Sequence, residues 1–386
     1  MKKSILSLSI SAILLSLSAC NNNDNLVATE TKATLGEDLF NDISLSRDGT
    51  QACATCHDPE HAFIDARLDK PAAVGLTSGT EIGAVSVGQD DVAIGDRNTP
   101  TAAYAAFIPD FHFNSDEDLW VGGQFLDGRE KDLEGQAGQP FLNPVEMQTT
   151  KGDVVAKVEA KYGDTMKSLF GADVFGSVDT AYAAVIESIA EFERTEVFSP
   201  FDSKFDRFLK GEYAFTNDEL QGFALFVAEN KGNCAACHPV PLAGFDKTDS
   251  IFTDHTYDNL GVPANTTVRN INGLGVDNGL FLNVAVDDEG LKGAFRVSGL
   301  RNVAVTGPYM HNGVFKDLKT AVHFYNTRDV VGAVNPETGV VWEASEVDAT
   351  KNDAELGNLG LTDTEEDQIV SFLKTLTDSK FEALIP

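Results

Sequence analysis

The sequence predicts a mainly α protein of two similar domains with long loops and few short strands, on three observations. The chain has 386 residues, 42% of them apolar, which is more than one compact core usually holds. A Cys-x-x-Cys-His unit occurs once in each half. It comprises Cys53, Cys56 and His57, and then Cys234, Cys237 and His238. Three segments show helical apolar spacing, and two of them begin with helix-capping pairs.

One such segment, FTNDELQGFALFVAEN, leads into the second Cys-x-x-Cys-His unit. Thr216 is placed to cap a helix, with Glu219 three residues further on. Leu220, Phe223 and Val227 recur at helical spacing and form its predicted buried face.

Two further segments predict helices and the division of the chain. Thr362 and Glu365 repeat the capping pair before an apolar stripe. The stripe consists of Ile369, Phe372, Leu373 and Leu376. Residues 182–198 also show helical spacing, through Val185, Ile189 and Phe192, and a proline follows at 200, so we predict domains at 34–198 and 199–386. Residues 246–293 are rich in Asp, Asn, Gly and Thr and predict long surface loops.

The first twenty residues predict an export signal. Two lysines precede an apolar segment that is too short to span a bilayer, and small residues then lead to Cys20. The ending LSAC resembles a bacterial lipobox, which implies a signal peptide over 1–20 and lipidation of Cys20. Residues 21–33 then form a polar tether. By resemblance to other lipoproteins, the asparagine after Cys20 favours the outer membrane; the alternative is a plain secretory signal with an incidental cysteine.

The other four of the five cysteines all belong to the two Cys-x-x-Cys-His units, which leaves none for a disulfide. An exported protein would normally pair such thiols, so their position beside histidines indicates another covalent fate. Attachment of c-type haem fits, with two thioether bonds and the histidine as iron ligand. A zinc site or a thioredoxin-like redox pair is the alternative, but zinc ligands usually lie within one short module and a redox pair needs a strand before it.

The formal net charge of −31 argues against binding of nucleic acid or of anionic membrane surfaces. It is consistent with solubility or with a face that docks a basic partner.

Nearly the whole mature chain resembles the bacterial di-haem cytochrome c peroxidase family, which includes MauG and its relatives. The stretches that carry the resemblance include RNTPT, FLDGREKDLEGQAGQPFLNPVEM, GNCAACHPVPLAGFD and LRNVAVTGPYMHNGVF. The family implies two cytochrome c-like domains, each with one haem, and reaction with hydrogen peroxide at the N-terminal haem.

The resemblance also implies the catalytic residues. The family carboxylate that takes a proton from bound peroxide and returns it corresponds to Glu146, supported by Gln136 and Pro140, and His57 is the proximal ligand of that haem. Many family members block this haem with a distal histidine before the RNxPT motif, but residues 70–97 contain no histidine. We therefore expect an open first haem that needs no reductive activation, with His61 and His112 as the nearest histidines that could block it.

For the second haem, the family places its sixth ligand fourteen positions beyond the histidine of the PYxHxG motif, and that residue is Tyr325. Peroxidases have methionine there, whereas MauG-like proteins have tyrosine. A phenolate favours the oxidised iron, so Tyr325 is expected to lower the potential. Met310 is the competing ligand, and a merely hydrogen-bonded tyrosine is the other alternative.

Two more positions follow from the family. A calcium ion between the haems would be bound by Asn98, Thr306 and Pro308. The tryptophan that relays electrons between the haems is replaced by Leu126, and the sequence does not say whether Trp120 substitutes for it.

The sequence therefore predicts a periplasmic, lipid-anchored di-haem peroxidase that draws electrons through the second haem from a small redox protein, a cytochrome c or a cupredoxin. The first alternative is a MauG-like enzyme that oxidises side chains of a protein substrate. The second is a di-haem electron carrier without catalysis.

Overall fold

The computed structural model describes residues 30–67, 84–240 and 251–386. Within these ranges the fold is mainly helical, as predicted. The described part contains ten α-helices, which are α1 (Lys32–Phe40), α2 (Cys53–Cys56), α3 (Leu133–Leu142), α4 (Lys151–Phe170), α5 (Val178–Glu193), α6 (Lys204–Leu209), α7 (Asn217–Val227), α8 (Thr266–Asn272), α9 (Leu318–Thr327) and α10 (Asp363–Lys374). Two short antiparallel pairs complete the described part: β1 (His112–Asn114) with β2 (Leu119–Val121), and β3 (Tyr257–Asp258) with β4 (Phe295–Arg296).

Each half is organised by one close crossing of two helices, α1 with α5 and α7 with α10. A glycine lies at each crossing point. A Cβ atom on Gly36 would overlap the Ser188 carbonyl oxygen, and one on Gly222 would overlap the Gln368 carbonyl oxygen. The backbones can approach this closely only because these positions lack a side chain.

The capping pairs predicted at Thr216 and Thr362 are confirmed, since each hydroxyl oxygen accepts a hydrogen bond from a backbone N–H of the first helical turn. The buried stripe of α10 is also confirmed. The predicted face of α7 was wrong at Leu220, which is 47% exposed, whereas Phe223 and Val227 are half-buried and pack against the core of the C-terminal half. Gly222 and Phe226 face α10 instead, since the helix must present its glycine at the crossing.

Two apolar cores lie beside these crossings. The first surrounds α5 and contains Phe40, Phe63 and Phe198, and the second surrounds α10 and contains Phe252 and Phe372. Residues 251 and 381 of the C-terminal half also pack into the first core, so the halves share a contact surface. The boundary between 198 and 199 stays a prediction.

A local motif is repeated in the two halves. Tyr104 and Asn302 each precede a 3₁₀ turn and have φ of 62°. The Tyr104 N–H donates to the Phe198 carbonyl, and the Asn302 N–H donates to the Leu376 carbonyl, both at 3.0 Å. These carbonyls follow α5 and α10 respectively, so each turn is attached to the equivalent end of its half.

The described part of the region predicted as loops, 246–293, contains β3 and also the helix α8, which the sequence did not predict; β4 lies just beyond this region. Helix α8 begins at an asparagine cap and has seven residues, too few for a clear period. Within the described ranges, no helix combines the length and the apolar character that a membrane span needs.

Candidate haem-binding and catalytic sites

The N-terminal Cys-x-x-Cys-His unit forms the one-turn helix α2, which ends at His57. The His57 Nδ1 atom lies 3.1 Å from the Phe63 carbonyl oxygen. Burial lowers the pKa of His57, so the ring is neutral and its Nδ1–H donates to that carbonyl. The Nε2 lone pair is therefore left to bind a metal.

The C-terminal unit repeats this arrangement. Cys234 begins a 3₁₀ turn, and the His238 Nδ1 atom lies 2.8 Å from the Phe252 carbonyl oxygen. Burial likewise lowers the pKa of His238. Both histidines are thus held in the tautomer that a haem ligand requires.

A cavity of about 350 Å³ opens beside the C-terminal unit. Cys234, Cys237 and His238 line one part of it, and Tyr325 and Met310, the two predicted candidates for the sixth ligand, also line it. The structure therefore brings the whole predicted C-terminal set together without deciding between the two candidates. Burial raises the pKa of Tyr325, so its phenol stays protonated unless a cation replaces the proton.

The donor groups of both units fit a c-type haem. The four cysteines are free thiols rather than disulfides, and each pair lies one helical turn before a neutral histidine. Arg296 adds a buried guanidinium to the lining of the large cavity, and among the described residues its side chain has no carboxylate in an ion pair. A buried cation of this kind suits the carboxylates of a porphyrin.

Glu146 lies at the N-terminal unit, where its charge acts on the thiols of both Cys53 and Cys56. Its carboxyl is half-buried, and burial raises its pKa, while the positive charge of Arg129 and a 2.6 Å hydrogen bond from Asn143 Nδ2 partly oppose the shift. A carboxyl with a raised pKa beside a buried site suits proton transfer.

Gln136 and Pro140 both lie on α3, which contributes the neighbouring surface. The Pro140 carbonyl accepts a hydrogen bond from the Met147 N–H at 3.1 Å, which folds the 143–147 turn back onto the helix. The Gln89 N–H donates to the Glu146 carbonyl at 2.9 Å and fixes the turn from its other side. Glu146 is therefore held by rigid neighbours.

A second, small cavity of about 10 Å³ lies between the halves, and Asn98, Thr306 and Pro308 line it. Its volume matches one water-sized sphere. The Asn98 amide donates from Nδ2 to the Ala84 carbonyl at 3.0 Å, which leaves its Oδ1 atom available as a ligand. The three residues predicted for calcium are thus brought together.

Leu126 lines the large cavity, as expected for the position of the missing tryptophan. Trp120 lies elsewhere, on β2, where it stacks on Phe111 at 4.8 Å. His61 and His112 are exposed and bonded to Asp58 and to a backbone carbonyl, so both are surface residues. Cys20 and residues 68–83 lie outside the described part of the chain.

The sequence analysis missed two groups of buried charged residues, and one of them, around Arg97, joins the two halves. Arg97 binds Asp277 through two hydrogen bonds of 2.7 Å and Asp127 through a third. Arg301 binds Asp206 through two bonds of 2.8 Å. The partners of Arg97 and Arg301 are 30 to 180 residues away along the chain, so no local pattern could have revealed them.

Comparison with known proteins identifies the family. Residues 30–214 match the family model described as di-haem cytochrome c peroxidase. The methylamine utilization protein MauG of Paracoccus denitrificans is 45% identical over 93% of this chain and 91% of its own length. The chain belongs to the di-haem cytochrome c peroxidase and MauG family.

Two further members are more distant. The cytochrome c peroxidase Ccp of Escherichia coli K12 is 33% identical over 75% of this chain and 52% of its own length. The diheme peroxidase BthA of Burkholderia thailandensis is 30% identical, and its crystal structure superposes with a TM-score of 0.78 over 92% of this chain and 88% of that one. The predicted fold class of two cytochrome c-like domains is confirmed, and the family has two haem cofactors and acts as a haem oxidoreductase on peroxide.

Proposed function

We propose that the protein uses hydrogen peroxide to oxidise side chains of a partner protein, as MauG-like members of the family do. The observation that carries this proposal is the 45% identity to MauG over nearly the full length of both chains. Tyr325 in the large cavity supports it, because tyrosine at this position is the MauG-like residue.

In this proposal, the haem bound at each Cys-x-x-Cys-His unit supplies a redox-active iron, and the peroxide reacts at the N-terminal one. His57 and His238 would each offer Nε2 to the iron at their own unit, because a backbone carbonyl holds each Nδ1–H. The absence of histidine from residues 70–97, together with the exposed positions of His61 and His112, supports an open N-terminal site at rest.

Glu146 moves the proton. As a carboxylate it takes a proton from the near oxygen of peroxide, and as a carboxylic acid it returns that proton to the departing oxygen as water forms. Burial raises its pKa, so the carboxylate is a better proton acceptor than an exposed glutamate. Gln136 and Pro140 position it, the proline through the carbonyl that anchors the 143–147 turn.

Tyr325 is proposed as the sixth ligand of the C-terminal haem, in preference to Met310. Burial opposes loss of the phenol proton, and the nearby Asp258 carboxylate adds to this effect. A bound cation would reverse that balance and favour the phenolate, which in turn stabilises the oxidised iron.

Calcium is proposed for the small cavity of Asn98, Thr306 and Pro308, because an amide and backbone oxygens suit a hard cation. The proposed location is the periplasm, with Cys20 lipidated and attached to the outer membrane. The proposed domains are 34–198 and 199–386.

A peroxidase that takes electrons from a small cytochrome c or cupredoxin is the second candidate. The names of the Escherichia coli relative and of the cytochrome c551 peroxidase of Nitrosomonas europaea, which is 31% identical over 83% of this chain, favour it. The two candidates differ in their electron donor and share the peroxide-reacting site.

The test uses the purified holoprotein with both haems. Stopped-flow mixing of the ferric protein with peroxide should change the haem spectrum rapidly, which would eliminate a pure electron carrier. The oxidised spectrum should then persist when a reduced cytochrome c or a reduced cupredoxin is added. Rapid catalytic oxidation of either donor, at two electrons per peroxide, would overturn the protein-substrate proposal in favour of the peroxidase.

A further inference from the structure

Tyr104 lies where the two haem-binding halves meet. On the N-terminal side, the Phe63 carbonyl that accepts the hydrogen bond from His57 also accepts one from the Ala102 N–H at 3.2 Å. Two residues further on, Tyr104 packs into the same core as Phe63, and its side chain lines the large cavity that contains His238.

On the C-terminal side, the Arg301 side chain lies near both the Tyr104 ring and Phe252, the residue whose carbonyl binds the second histidine. Its guanidinium carbon lies 4.9 Å from the centre of the Tyr104 ring and 5.9 Å from that of Phe252. The Phe252 carbonyl accepts the hydrogen bond from His238. Tyr104 is therefore linked, through Ala102 on one side and Arg301 on the other, to the two residues whose carbonyls hold the proposed ligand histidines.

The Tyr104 hydroxyl has a carboxylate as its proton acceptor. It donates to Asp378 Oδ1 at 2.6 Å, while Asn302 Nδ2 donates to the other carboxylate oxygen at 2.7 Å. Burial raises the pKa of Asp378 to about 6, so the group is ionised at neutral pH yet more basic than an exposed aspartate. Burial also raises the pKa of Tyr104, which keeps its proton in the resting state.

Of the three tyrosines that line the cavity, Tyr104 is the one suited to lose an electron and a proton together. Tyr309 donates its O–H to a backbone carbonyl at 2.9 Å, which is a poor proton acceptor. Tyr325 is the proposed iron ligand. The aliphatic side chain of Leu126 cannot be oxidised in this way, and Trp120 lies in the β1–β2 hairpin.

We propose that Tyr104 and Asp378 form a proton-coupled electron relay between the two haem-binding sites, in place of the tryptophan that family members have at the position of Leu126. The relay rests on the reaction with peroxide and is independent of which donor supplies the electrons.

Electrons and protons balance in each transfer through the relay. The Tyr104 phenol gives one electron toward the N-terminal site, and its O–H proton moves to Asp378 Oδ1, which leaves a neutral phenoxyl radical and a carboxylic acid. One electron then arrives from the C-terminal site, and the same proton returns to the phenoxyl oxygen. Two passes supply the two electrons that reduce one peroxide, with two protons from solvent, to two waters.

The test compares Tyr104→Phe with a matched control, Tyr162→Phe. Tyr162 also donates its hydroxyl to an aspartate, Asp42 Oδ2, at 3.0 Å, but it lies on α4 and outside the cavity lining. Each variant keeps its aromatic ring and loses one tyrosine–aspartate hydrogen bond, and Tyr104→Phe also loses the hydrogen bond that the Phe201 N–H donates to the Tyr104 hydroxyl at 3.2 Å. A purely structural role of Tyr104 would therefore appear as a loss of stability or of haem content, whereas loss of the relay would slow electron transfer while the haem content stays normal.

Two measurements on the holoproteins decide the matter. In half-reduced protein mixed with one equivalent of peroxide, the C-terminal haem of Tyr104→Phe should be oxidised at least about tenfold more slowly than that of the wild type. The first reaction of this variant with peroxide and its haem content should stay normal. Tyr162→Phe should match the wild type. Transfer in Tyr104→Phe within about twofold of the wild type would overturn the relay.

Rapid-freeze electron paramagnetic resonance of the ferric wild type after peroxide provides a measurement that needs no variant. We expect a tyrosyl radical whose signal narrows when the protein carries ring-deuterated tyrosine, and which is lost in Tyr104→Phe but kept in Tyr162→Phe. Absence of any tyrosyl signal, or its persistence in Tyr104→Phe, would overturn the relay. Rapid turnover with a reduced cytochrome c would overturn only the protein-substrate proposal.

Discussion

The crossing of α7 and α10 depends on Gly222, and the substitution Gly222→Ala tests this dependence. The added Cβ would overlap the Gln368 carbonyl oxygen and would lie 2.5 Å from its carbon and 3.0 Å from the Phe372 Cβ. Since comfortable separations between carbon atoms are about 3.5 Å or more, the helices must move apart by about 1 Å.

The cost follows from that movement. Overpacking of a core usually costs about 1–3 kcal/mol and occasionally more, whereas alanine gains about 1 kcal/mol over glycine in helix propensity. Because the clash is with backbone, which cannot turn aside, we expect a net loss of about 2 kcal/mol in the free energy of unfolding. Phe226, Ile369 and Leu373 of these helices also line the large cavity, so the spectrum of the C-terminal haem should change.

The assay is guanidinium unfolding followed by circular dichroism, together with visible spectra of the folded holoprotein. Gly163→Ala in α4 is the matched control, since the nearest atom to its new Cβ is Glu159 Cγ at 3.8 Å, and it should stabilise the protein by about 0.5–1 kcal/mol. Gly36→Ala should be as costly as Gly222→Ala but should disturb the N-terminal haem. Equal stability and unchanged spectra for Gly222→Ala and Gly163→Ala would refute the reasoning.

Four further predictions concern the sites. Glu146→Gln should lower the rate of reaction with peroxide by about 10²-fold or more and leave both haems attached, as checked by stopped flow and a haemochrome assay; an unchanged rate would remove Glu146 from the mechanism. Tyr325→Met should raise the reduction potential of the C-terminal haem in a spectroelectrochemical titration, and a potential that does not change would exclude Tyr325 as its ligand. Asn98→Ala should weaken calcium binding measured by calorimetry and should mimic the spectral effect of a chelator, whereas undiminished binding would place the ion elsewhere. Burial raises the pKa of Glu193 to about 8, so the folded state keeps a proton that the unfolded state loses near pH 4.5. Between these two pH values, the free energy of unfolding should therefore fall by about 1.4 kcal/mol for each unit by which the pH rises. Glu193→Gln should remove this slope in denaturation curves, and the half-exposed Glu191→Gln should keep it; a slope that persists in Glu193→Gln would assign it to other groups.

Features that are local in the chain could be predicted from the sequence. The capping pairs at Thr216 and Thr362 and the Cys-x-x-Cys-His units each lie within a few residues, so their geometry follows from helix spacing. The buried face of α7 could not be predicted from apolar residues alone. Leu220 is more apolar than Gly222, but the close crossing selects the residue without a side chain.

The candidate site also combines features that the sequence could predict with features that it could not. The residues proposed to hold the haems and calcium could be named from motifs, whereas the Tyr104–Asp378 hydrogen bond joins residues 274 positions apart. Nothing in the local sequence of either residue indicates the other. Only the packing of the two halves, in which the turn at Tyr104 meets the segment after α10, brings the phenol to its acceptor.

The repeated structure also indicates why the two haems should behave differently. The His57 and His238 rings are both neutral, and each donates Nδ1–H to a phenylalanine carbonyl, so the histidine side of the two proposed haem sites is nearly the same. We therefore expect the difference to come from Glu146 and Tyr325. Burial raises the pKa of both groups, but a carboxyl suits a site that would exchange protons with peroxide, whereas a phenol suits a site that would store oxidising equivalents. Two halves with the same histidine support would thus differ in their chemistry because one contains Glu146 and the other contains Tyr325.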